Sequence, residues 1–361
     1  MIKAKEYINR IAPYIPGKPI EEVEKEFGIK DIIKLASNEN PYGPSPKAQA
    51  AIAAAVAGIS RYPDGSGYYL RKKLSRFHGI NEDMIILGNG SDEINSMITA
   101  AYMGQGDNGL MGFPSFIKYK IAIEASGAEC RMVKLNAAYG IDLKKIAKSM
   151  DANTRVVFIC NPNNPTGTIV TQSEVVDFLR RTSPGVLVVL DEAYIEYVES
   201  PDFPRSFDLL RKYPNVIVLR TFSKIYGLAG LRVGYGIASE SIIRDLNKVR
   251  DPFNTSSLAQ AAAAAAVDDG KYVSACFKKN LKEMKFLEDE LGYMKLFFVK
   301  SHSNFILADL KKDLRDIYIP LLKKGVIIRP MNSYGLNTFA RITVGTREEN
   351  KRLVRSLKEL L

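Results

Sequence analysis

Residues 215–236 read NVIVLRTFSKIYGLAGLRVGYG, and this stretch decides the fold. It begins with an apolar run of the length of a buried strand, and a second strand-like run, RVGYGIAS, starts at residue 232. Between the two runs, Lys224 stands among small and uncharged residues, with Arg232 eight positions further on. A lysine on a solvated helix face usually has charged or polar neighbours at helical spacing on both sides, whereas the positions three and four after Lys224 are Gly227 and Leu228. The stretch therefore raises the question of what Lys224 binds.

The same alternation of short apolar strands and helices extends through the middle of the chain. Further strand candidates are MIILG (84–88), NGLMGF (108–113), RVVFIC (155–160) and GVLVVLDEAY (185–194), with helices expected from about Asp92, after Pro114 and from about Gln172. Such alternation predicts a mostly parallel sheet covered by helices on both faces. Ligands bind such sheets at the carboxyl ends of the strands, so the residues that follow each strand form the candidate site.

The last hundred or so residues follow a different order. They show a long helix over about 271–291, the strands FFVKS and NFILADL, a helix over about 314–324, the strands GVIIRP and FARITVG, and a helix from about Arg347. This order predicts a smaller α+β unit, and the N-terminal segment, which has no strand run comparable to the central ones, is expected to pack on it. We therefore predict an α/β protein with a large domain at residues 38–253 and a small domain built from residues 1–37 and 254–361.

Composition restricts the class of protein. With 361 residues, 46% hydrophobic and 25% charged, the chain has the make-up of a globular protein larger than one small core. It shows no apolar secretory segment at its N-terminus and no apolar tract as long as a membrane span, so a cytoplasmic location is expected. Cys130, Cys160 and Cys276 form no CxxC pair, which argues against structural zinc and a disulfide framework. A net charge of +11 without long basic runs favours an anionic small molecule over nucleic acid.

Four predicted strand ends carry polar groups, each of which also has a purely structural interpretation. Ser91 and Asp92 open a helix, whose free N–H groups bind anions such as phosphate, although a plain capped helix explains them too. NPNNPTGT can hold an asparagine amide in a pocket, or can simply be a rigid loop. Asp191, followed by Tyr194, ends a buried strand and needs a cation or donors there, unless it caps a helix or forms a salt bridge. Lys224 and Arg232 then add an amine and a guanidinium.

Pyridoxal 5′-phosphate needs all of these groups at once. Its aldehyde condenses with a lysine, its phosphate suits a helix start and an arginine, and its ring nitrogen pairs with an aspartate, while its phenolic oxygen suits tyrosine and asparagine. This cofactor would explain the isolation of Lys224. A nicotinamide dehydrogenase also fits the strand–helix alternation, but GNGSDE lacks the third glycine of the dinucleotide fingerprint.

Eight motifs together resemble a known family. They are APYIPG, KLASNENPYGPSP, RYPDGSGYYLRKKLS, LGNGSDEI, NPNNPTGT, DEAYIEY, RTFSKIYGLAGLRVGYG and FARITVGTREEN. In this order they resemble the fold type I pyridoxal-phosphate aminotransferases, and within these the histidinol-phosphate aminotransferase family, over nearly the whole chain. The resemblance implies transamination of L-histidinol phosphate with 2-oxoglutarate, giving glutamate, in histidine biosynthesis. Aromatic amino-acid aminotransferases and threonine-phosphate decarboxylases share most of these motifs and stay open as alternatives.

The resemblance also implies a role for each site residue. Lys224 would link to the cofactor aldehyde and act as the catalytic base. The other cofactor contacts that it implies are Asp191 at the ring nitrogen, Asn164 and Tyr194 at the phenolic oxygen, Phe116 on the ring, and Ser91, Asp92, Ser223 and Arg232 at the phosphate, with Thr221 a weaker candidate. Tyr62 would reach the phosphate from a second subunit, which implies a homodimer. Tyr14, Arg329 and Arg341 would hold the anionic substrate, although Arg341 also reads as a surface arginine on a strand.

Overall fold

The computed structural model describes residues 2–361, apart from the side chain of Arg10, so Met1 of the predicted small domain lies outside it. The strands of this part of the chain are β1 (Ile33–Leu35), β2 (Ile85–Gly88), β3 (Asn108–Phe113), β4 (Glu129–Lys134), β5 (Thr154–Cys160), β6 (Leu187–Asp191), β7 (Val216–Thr221), β8 (Gly234–Ala238), β9 (Phe298–Val299), β10 (Phe305–Asp309), β11 (Val326–Pro330) and β12 (Phe339–Thr343). Its α-helices are α1 (Ile20–Phe27), α2 (Pro46–Ala55), α3 (Tyr68–His78), α4 (Gly90–Tyr102), α5 (Lys118–Ala125), α6 (Leu143–Ser149), α7 (Gln172–Arg181), α8 (Ser206–Lys212), α9 (Glu240–Val249), α10 (Ser257–Val267), α11 (Gly270–Tyr293), α12 (Leu314–Lys323) and α13 (Arg347–Leu360).

Seven strands form the larger sheet, in the order β2-β8-β7-β6-β5-β3-β4. Strand β8 runs antiparallel to both β7 and β2, and the other pairs are parallel. The prediction of a mostly parallel, mixed sheet is confirmed. Because β8 runs against its neighbours, its first residues lie at the edge where β7 and β2 end. Arg232, two residues before β8, therefore comes to the same edge as Lys224, which follows β7.

Helices cover both faces of this sheet. Along β5, Val156 and Phe158 join one hydrophobic cluster with α4, α5 and α9, whereas Val157 and Ile159 join another with α7 and α10. A strand buried on both faces has no solvent-facing positions to fill with polar residues. The central strands are for this reason continuous apolar runs in the sequence.

A second sheet has the strand order β1-β11-β12-β10-β9. The short strand β1, which the sequence analysis did not predict, pairs in parallel with β11, with Ile33 opposite Val326 and Leu35 opposite Ile328. Residues just before position 38 thus join the C-terminal strands. The cluster of Leu287 on α11, Leu321 on α12 and Leu353 on α13 packs on this sheet, with α11 and α13 also in mutual contact.

Helix α10 belongs to the core of the larger sheet. Its alanines, among them Ala259 and Ala263, share a hydrophobic cluster with Leu70 and Leu74 of α3. Small side chains let helices approach closely, which explains the alanine-rich sequence here. The domain limits at 37/38 and 253/254 stay a prediction, and from this packing we propose that the large domain extends through α10.

Two further properties concern the chain as a whole. Across residues 2–361, no helix is both long enough and apolar enough to cross a membrane. Cys130, Cys160 and Cys276 are all free thiols.

Candidate active site

A cavity of about 190 Å³ lies at the edge of the larger sheet where β5, β6 and β7 end. The predicted site residues that line it are Tyr14, Ser91, Asp92, Phe116, Asn164, Asp191, Tyr194, Thr221, Ser223, Lys224, Arg232, Arg329 and Arg341. Tyr62 is the predicted residue that does not line it, and its side chain is 83% exposed. The cavity also has walls that the sequence analysis did not single out, among them Ser37, Asn38 and Cys160.

Lys224 projects into this cavity from the loop after β7. Its Nζ lies 3.4 Å from the carbonyl oxygen of Ser37 and 5.5 Å from the centre of the Tyr194 ring. Burial, followed by the charge of Arg341, lowers the pKa of Lys224 to about 8. More of this amine is therefore neutral near pH 7 than of an ordinary lysine, and the neutral amine is the form that attacks carbonyl groups.

The glycines after Lys224 have a packing role. Gly227 has a φ of +69°, and a Cβ atom there would overlap the backbone of Gly43. The segment around Gly43 is also tied to the lysine loop by Asn40, whose Nδ2 donates to the carbonyl oxygen of Ile225 over 2.7 Å. Small residues around Lys224 thus let a second chain segment close one side of the loop.

Asp191, at the end of β6, is 2% exposed. The hydroxyl of Tyr119 donates to its Oδ2 over 2.6 Å, and the backbone N–H of Ala193 donates to its Oδ1 over 3.1 Å. Burial raises the pKa of Asp191 to about 6, while the hydrogen bond from Tyr119 acts in the opposite direction. The carboxylate is mostly ionised at pH 7, so the site holds a buried negative charge with capacity for one more donor.

Tyr194 and Asn164 join two sides of the cavity. The Tyr194 hydroxyl accepts hydrogen bonds from Nδ2 of Asn38 over 3.0 Å and from Nδ2 of Asn164 over 3.3 Å. The side-chain oxygen of Asn164 in turn accepts from Nη1 of Arg341 over 2.6 Å. Burial raises the pKa of the Tyr194 phenol, so it stays protonated and can donate to a ligand oxygen.

An anion cradle forms at the start of α4. Gly90, the first residue of the helix, has a φ of +71°, and a Cβ atom there would lie 2.5 Å from Nη2 of Arg232. The Arg232 guanidinium also donates from Nη1 to Oγ of Ser223 over 3.2 Å and lies 3.4 Å from a carboxylate oxygen of Asp92. Free N–H groups at Ser91 and Asp92, a hydroxyl and a guanidinium thus surround one position, which is the arrangement that binds phosphate.

Two arginines line the other end of the cavity. Arg329 on β11 and Arg341 on β12 are direct cross-strand partners. Arg329 donates to the carbonyl oxygen of Ile15 over 2.8 Å, and its guanidinium lies 5.8 Å from the centre of the Tyr14 ring. Within the described chain, Nε of Arg341 is buried without a hydrogen-bond partner. Like charges opposite each other on a sheet repel, so an anion between these arginines would relieve the repulsion.

Two residues of the hydrogen-bond network, Tyr119 and Asn38, were not predicted from the sequence. Tyr119 lies on α5, not after a strand, and reaches Asp191 because its ring stacks on Phe158 at 4.8 Å. Asn38 has a φ of +56°, is buried, and is held by Thr343, which bonds to both its backbone and its side chain. The available signal for Asn38 was the asparagine-rich SNEN motif, whose role the sequence analysis did not assign.

The groups around this cavity together indicate a class of protein. A partly buried lysine with a lowered pKa, a buried carboxylate, a phosphate cradle and paired arginines around one cavity define an enzyme that handles carbonyl and amino groups of anionic compounds. The family model of aminotransferase class I and II matches residues 30–357 of this chain. The chain belongs to the aminotransferase class I and II family.

Three similar proteins carry the name histidinol-phosphate aminotransferase. The chain is 47% identical to histidinol-phosphate aminotransferase of Moorella thermoacetica, over 99% of this chain and 93% of that protein. It is 48% identical to the enzyme of the same name from Bacillus pumilus, over 99% of this chain and 98% of that protein. A crystal structure of histidinol-phosphate aminotransferase from Sinorhizobium meliloti in complex with pyridoxal 5′-phosphate superposes with a TM-score of 0.91 at 26% identity, covering 100% of this chain and 99% of that one.

Proposed function

We propose that this chain is a pyridoxal-phosphate-dependent aminotransferase that transfers the amino group of L-histidinol phosphate to 2-oxoglutarate. The products would be imidazole acetol phosphate and glutamate, as a step of histidine biosynthesis. The observation that carries this proposal is the meeting of Lys224, Asp191 and the cradle at Arg232 around one cavity. The names of the similar proteins support histidinol phosphate as the substrate and favour neither an aromatic amino-acid aminotransferase nor a decarboxylase.

The residues of the cavity fit pyridoxal phosphate. The buried carboxylate of Asp191 has room for one further donor, which suits a protonated ring nitrogen. The Tyr194 hydroxyl and the amide of Asn164 suit the phenolic oxygen, and the start of α4 with Ser223 and Arg232 suits the phosphate. When bound, this cofactor supplies an aldehyde that condenses with amines and a ring that takes up the electron pair left at the substrate Cα.

Lys224 would supply the proton transfers. Its Nζ would accept the proton from Cα of the amino donor. It would then donate this proton to the former aldehyde carbon of the cofactor. The pKa of about 8 suits both halves of this task, because the amine is a base strong enough to accept the proton and weak enough to return it. A positioned general base contributes about 10²–10⁴-fold to the rate.

Asp191 would keep the ring nitrogen protonated. An ionised carboxylate buried beside this nitrogen favours the charged form of the ring, which is the form that accepts electrons. Tyr119 and the N–H of Ala193 keep Asp191 ionised and fix the direction of its oxygens. Phe116, which meets Tyr119 edge to face at 5.5 Å, would cover the ring with a purely apolar surface.

The two arginines would hold both substrates in turn. Arg341 and Arg329, with Tyr14 beside them, form a positive surface suited to a phosphomonoester and to a dicarboxylate, because guanidinium groups bind both anions through two parallel hydrogen bonds. The bond from Arg341 to Asn164 would transmit the substrate's position to the Tyr194 end of the cofactor. Occupation of this surface would exclude water from the reacting carbon.

The proposed enzyme is a cytoplasmic homodimer. We propose a homodimer in which Tyr62 completes the phosphate site of the partner subunit, since its ring is 83% exposed and lies outside the cavity of its own chain. A cytoplasmic location agrees with the three free thiols. Disulfides form mainly in oxidising compartments outside the cytoplasm.

A comparison of kcat/KM among candidate amino donors tests the proposal. The purified protein loaded with pyridoxal phosphate is assayed with 2-oxoglutarate and, separately, histidinol phosphate, phenylalanine and threonine phosphate. We expect histidinol phosphate to give the highest kcat/KM, with glutamate as a product. Higher kcat/KM with phenylalanine would support the aromatic alternative, and release of carbon dioxide from threonine phosphate would support the decarboxylase.

A further inference from the structure

Tyr62 does not lie freely on the surface. Its ring stacks on that of Phe253, with centroids 4.6 Å apart and an angle of 21° between the planes. Phe253 is itself 45% exposed, so the pair forms a small aromatic shelf at the surface. Offset stacking of two rings favours this arrangement of both side chains. Phe253 therefore biases the direction of the Tyr62 side chain.

Phe253 is held in an unusual backbone conformation. Its φ is +57°, in the left-handed region that residues with a Cβ atom rarely adopt. The next residue, Asn254, fixes this turn, because its Nδ2 donates to the carbonyl oxygen of Leu87 over 3.1 Å and to Oε2 of Glu93 over 2.7 Å. Glu93 also accepts from the backbone N–H of Asn89, at the start of α4. The turn that presents Phe253 is thus tied directly to the anion cradle.

The loop that carries Tyr62 also approaches the same ring through its backbone. A Cβ atom at Gly65 would lie 3.2 Å from Cδ1 of Phe253, so the loop backbone approaches the ring closely. Gln260 of α10 donates to the carbonyl oxygen of Asp64 over 2.9 Å and holds the loop in place. Phe253 therefore connects the Tyr62 loop to the elements that form the cradle.

The aromatic shelf and the cradle share one surface. Tyr62, Phe253, Asn89 and Arg232 line a second cavity of about 630 Å³, and Arg232 also lines the cavity of Lys224. In a two-fold dimer the same surface of each subunit faces the other, so a contact made by Tyr62 in one direction is repeated in the reverse direction. A tyrosine fixed on this surface is placed to cross to the partner's cradle.

We propose that Phe253 is a positioning residue, whose ring holds Tyr62 in the orientation that reaches the cofactor phosphate of the partner subunit. This inference rests on the proposed homodimer and on the proposed role of Tyr62. Phe253 itself does not line the cavity of Lys224. Its left-handed backbone is a cost in stability that the pre-orientation of Tyr62 explains.

A double-mutant cycle tests the proposal through the dissociation constant of pyridoxal phosphate, measured on the cofactor-free dimer. We expect Phe253→Ala to weaken binding about 3- to 10-fold, the range expected from loss of one aromatic stack. Tyr62→Phe, which keeps the ring and removes the hydroxyl, should weaken binding by a similar factor. In Tyr62→Phe/Phe253→Ala the loss should equal that of Tyr62→Phe alone, because Phe253 acts only through the hydroxyl. Phe253→Tyr should restore binding to within about twofold, since it retains the stack.

Two controls separate positioning from structure. Phe253→Gly removes the ring and also relieves the strain of a left-handed backbone at a residue with a Cβ atom. This variant should bind the cofactor as weakly as Phe253→Ala, and it should unfold at the same temperature as Phe253→Ala or at a higher one. Phe297→Ala removes another half-exposed phenylalanine from a different surface and should leave cofactor binding unchanged. Unchanged binding in Phe253→Ala, or losses that simply add in the double variant, would overturn the inference. Unchanged binding in Tyr62→Phe would instead overturn the proposed cross-subunit role, and this inference with it.

Discussion

Tyr119 donates a 2.6 Å hydrogen bond to Oδ2 of Asp191, from a ring that is fully buried against Phe158. The bond joins a helix on one face of the larger sheet to the end of its central strand β6. It stabilises the ionised form of a carboxylate whose burial alone would favour the neutral form. The charge of Asp191 thus depends on Tyr119, a residue that does not line the cavity.

Tyr119→Phe should move the pH dependence of cofactor binding. The pKa of Asp191 is raised to about 6, and only the ionised form pairs with a protonated ring nitrogen, so binding should weaken as the pH falls through this value. Loss of the hydroxyl removes a bond that favours ionisation, which raises the pKa further and moves the midpoint upward by about one unit. The measurement is the dissociation constant of pyridoxal phosphate from acid to neutral pH. Tyr197→Phe, at a buried tyrosine outside the cavity, should leave the midpoint in place; an unmoved midpoint in Tyr119→Phe would refute the role of this bond.

Lys224→Ala should abolish most of the turnover. Loss of the amine removes the general base, so kcat should fall by at least about 10²-fold, within the usual range for such groups. Steady-state rates with histidinol phosphate and 2-oxoglutarate measure this fall. Lys285→Ala, at an exposed lysine, is the matched control and should keep the normal rate. A Lys224→Ala enzyme with more than about a tenth of the normal kcat would exclude Lys224 as the base.

Gly90→Ala should weaken cofactor binding through a clash with Arg232. The new Cβ atom would lie 2.5 Å from Nη2 of this arginine and displace it from the cradle. We expect a loss of about 10-fold or more in affinity for pyridoxal phosphate, the worth of one charge-assisted hydrogen bond. Gly79→Ala is a matched control, because Gly79 has a similar φ of +65° and no atom lies within 4 Å of its built Cβ. Equal losses in both variants would mean that backbone strain, and not the clash, is responsible.

Arg341→Gln should impair the binding of anionic substrates. The guanidinium has a buried Nε without a partner in the described chain, and we expect a substrate anion to use it. KM for 2-oxoglutarate should rise about 10- to 100-fold, as expected for a hydrogen bond between charged groups. Arg315→Gln, at an exposed arginine on α12, should leave KM unchanged. An unaltered KM in Arg341→Gln would mean that the arginine has only a structural function.

Glu192→Gln should destabilise the whole protein. Glu192, next to Asp191, is 1% exposed and pairs with Arg220 through Oε2, at 2.8 Å from Nη2 and 3.0 Å from Nε. Removing the charge of one partner of a buried pair costs about 3–5 kcal/mol, and within the described chain Arg220 would keep only the charge of Glu196 near it. Denaturant unfolding measures this loss. Asp208→Asn breaks an exposed pair with Arg211 and should cost at most about 1 kcal/mol; similar losses in the two variants would contradict this prediction.

The central strands could be predicted from the sequence because burial on both faces makes them continuous apolar runs. Two strands could not. β1 has only three residues and depends on pairing with β11, far away in the chain. β4, with the sequence ECRMVK, is an edge strand whose side chains are mostly exposed or half-buried, so it carries no apolar run. Edge strands and short strands are defined by their partners, which local sequence does not reveal.

The candidate site divides in the same way. Asp191, Tyr194 and Lys224 could be placed from the sequence, because residues after parallel strands meet at one edge of a sheet. Arg341 could be placed only through the family resemblance, since its position opposite Arg329 depends on the pairing of β11 with β12. Tyr119 and Asn38 depend on the packing of α5 and on Thr343 respectively. Tyr119 and Asn38, which contact the ionisable groups of the site, therefore could not be predicted from local sequence.

The covalent link between the cofactor and one lysine is the central claim, and mass spectrometry tests it directly. The protein is incubated with pyridoxal phosphate, reduced with borohydride, digested and analysed peptide by peptide. We expect the reduced pyridoxyl group on Lys224, within the peptide that contains TFSKIYGLAGLR, and no such group at this peptide in Lys224→Ala. A pyridoxyl group on another lysine alone, or none at all in a protein that turns yellow with the cofactor, would contradict the account.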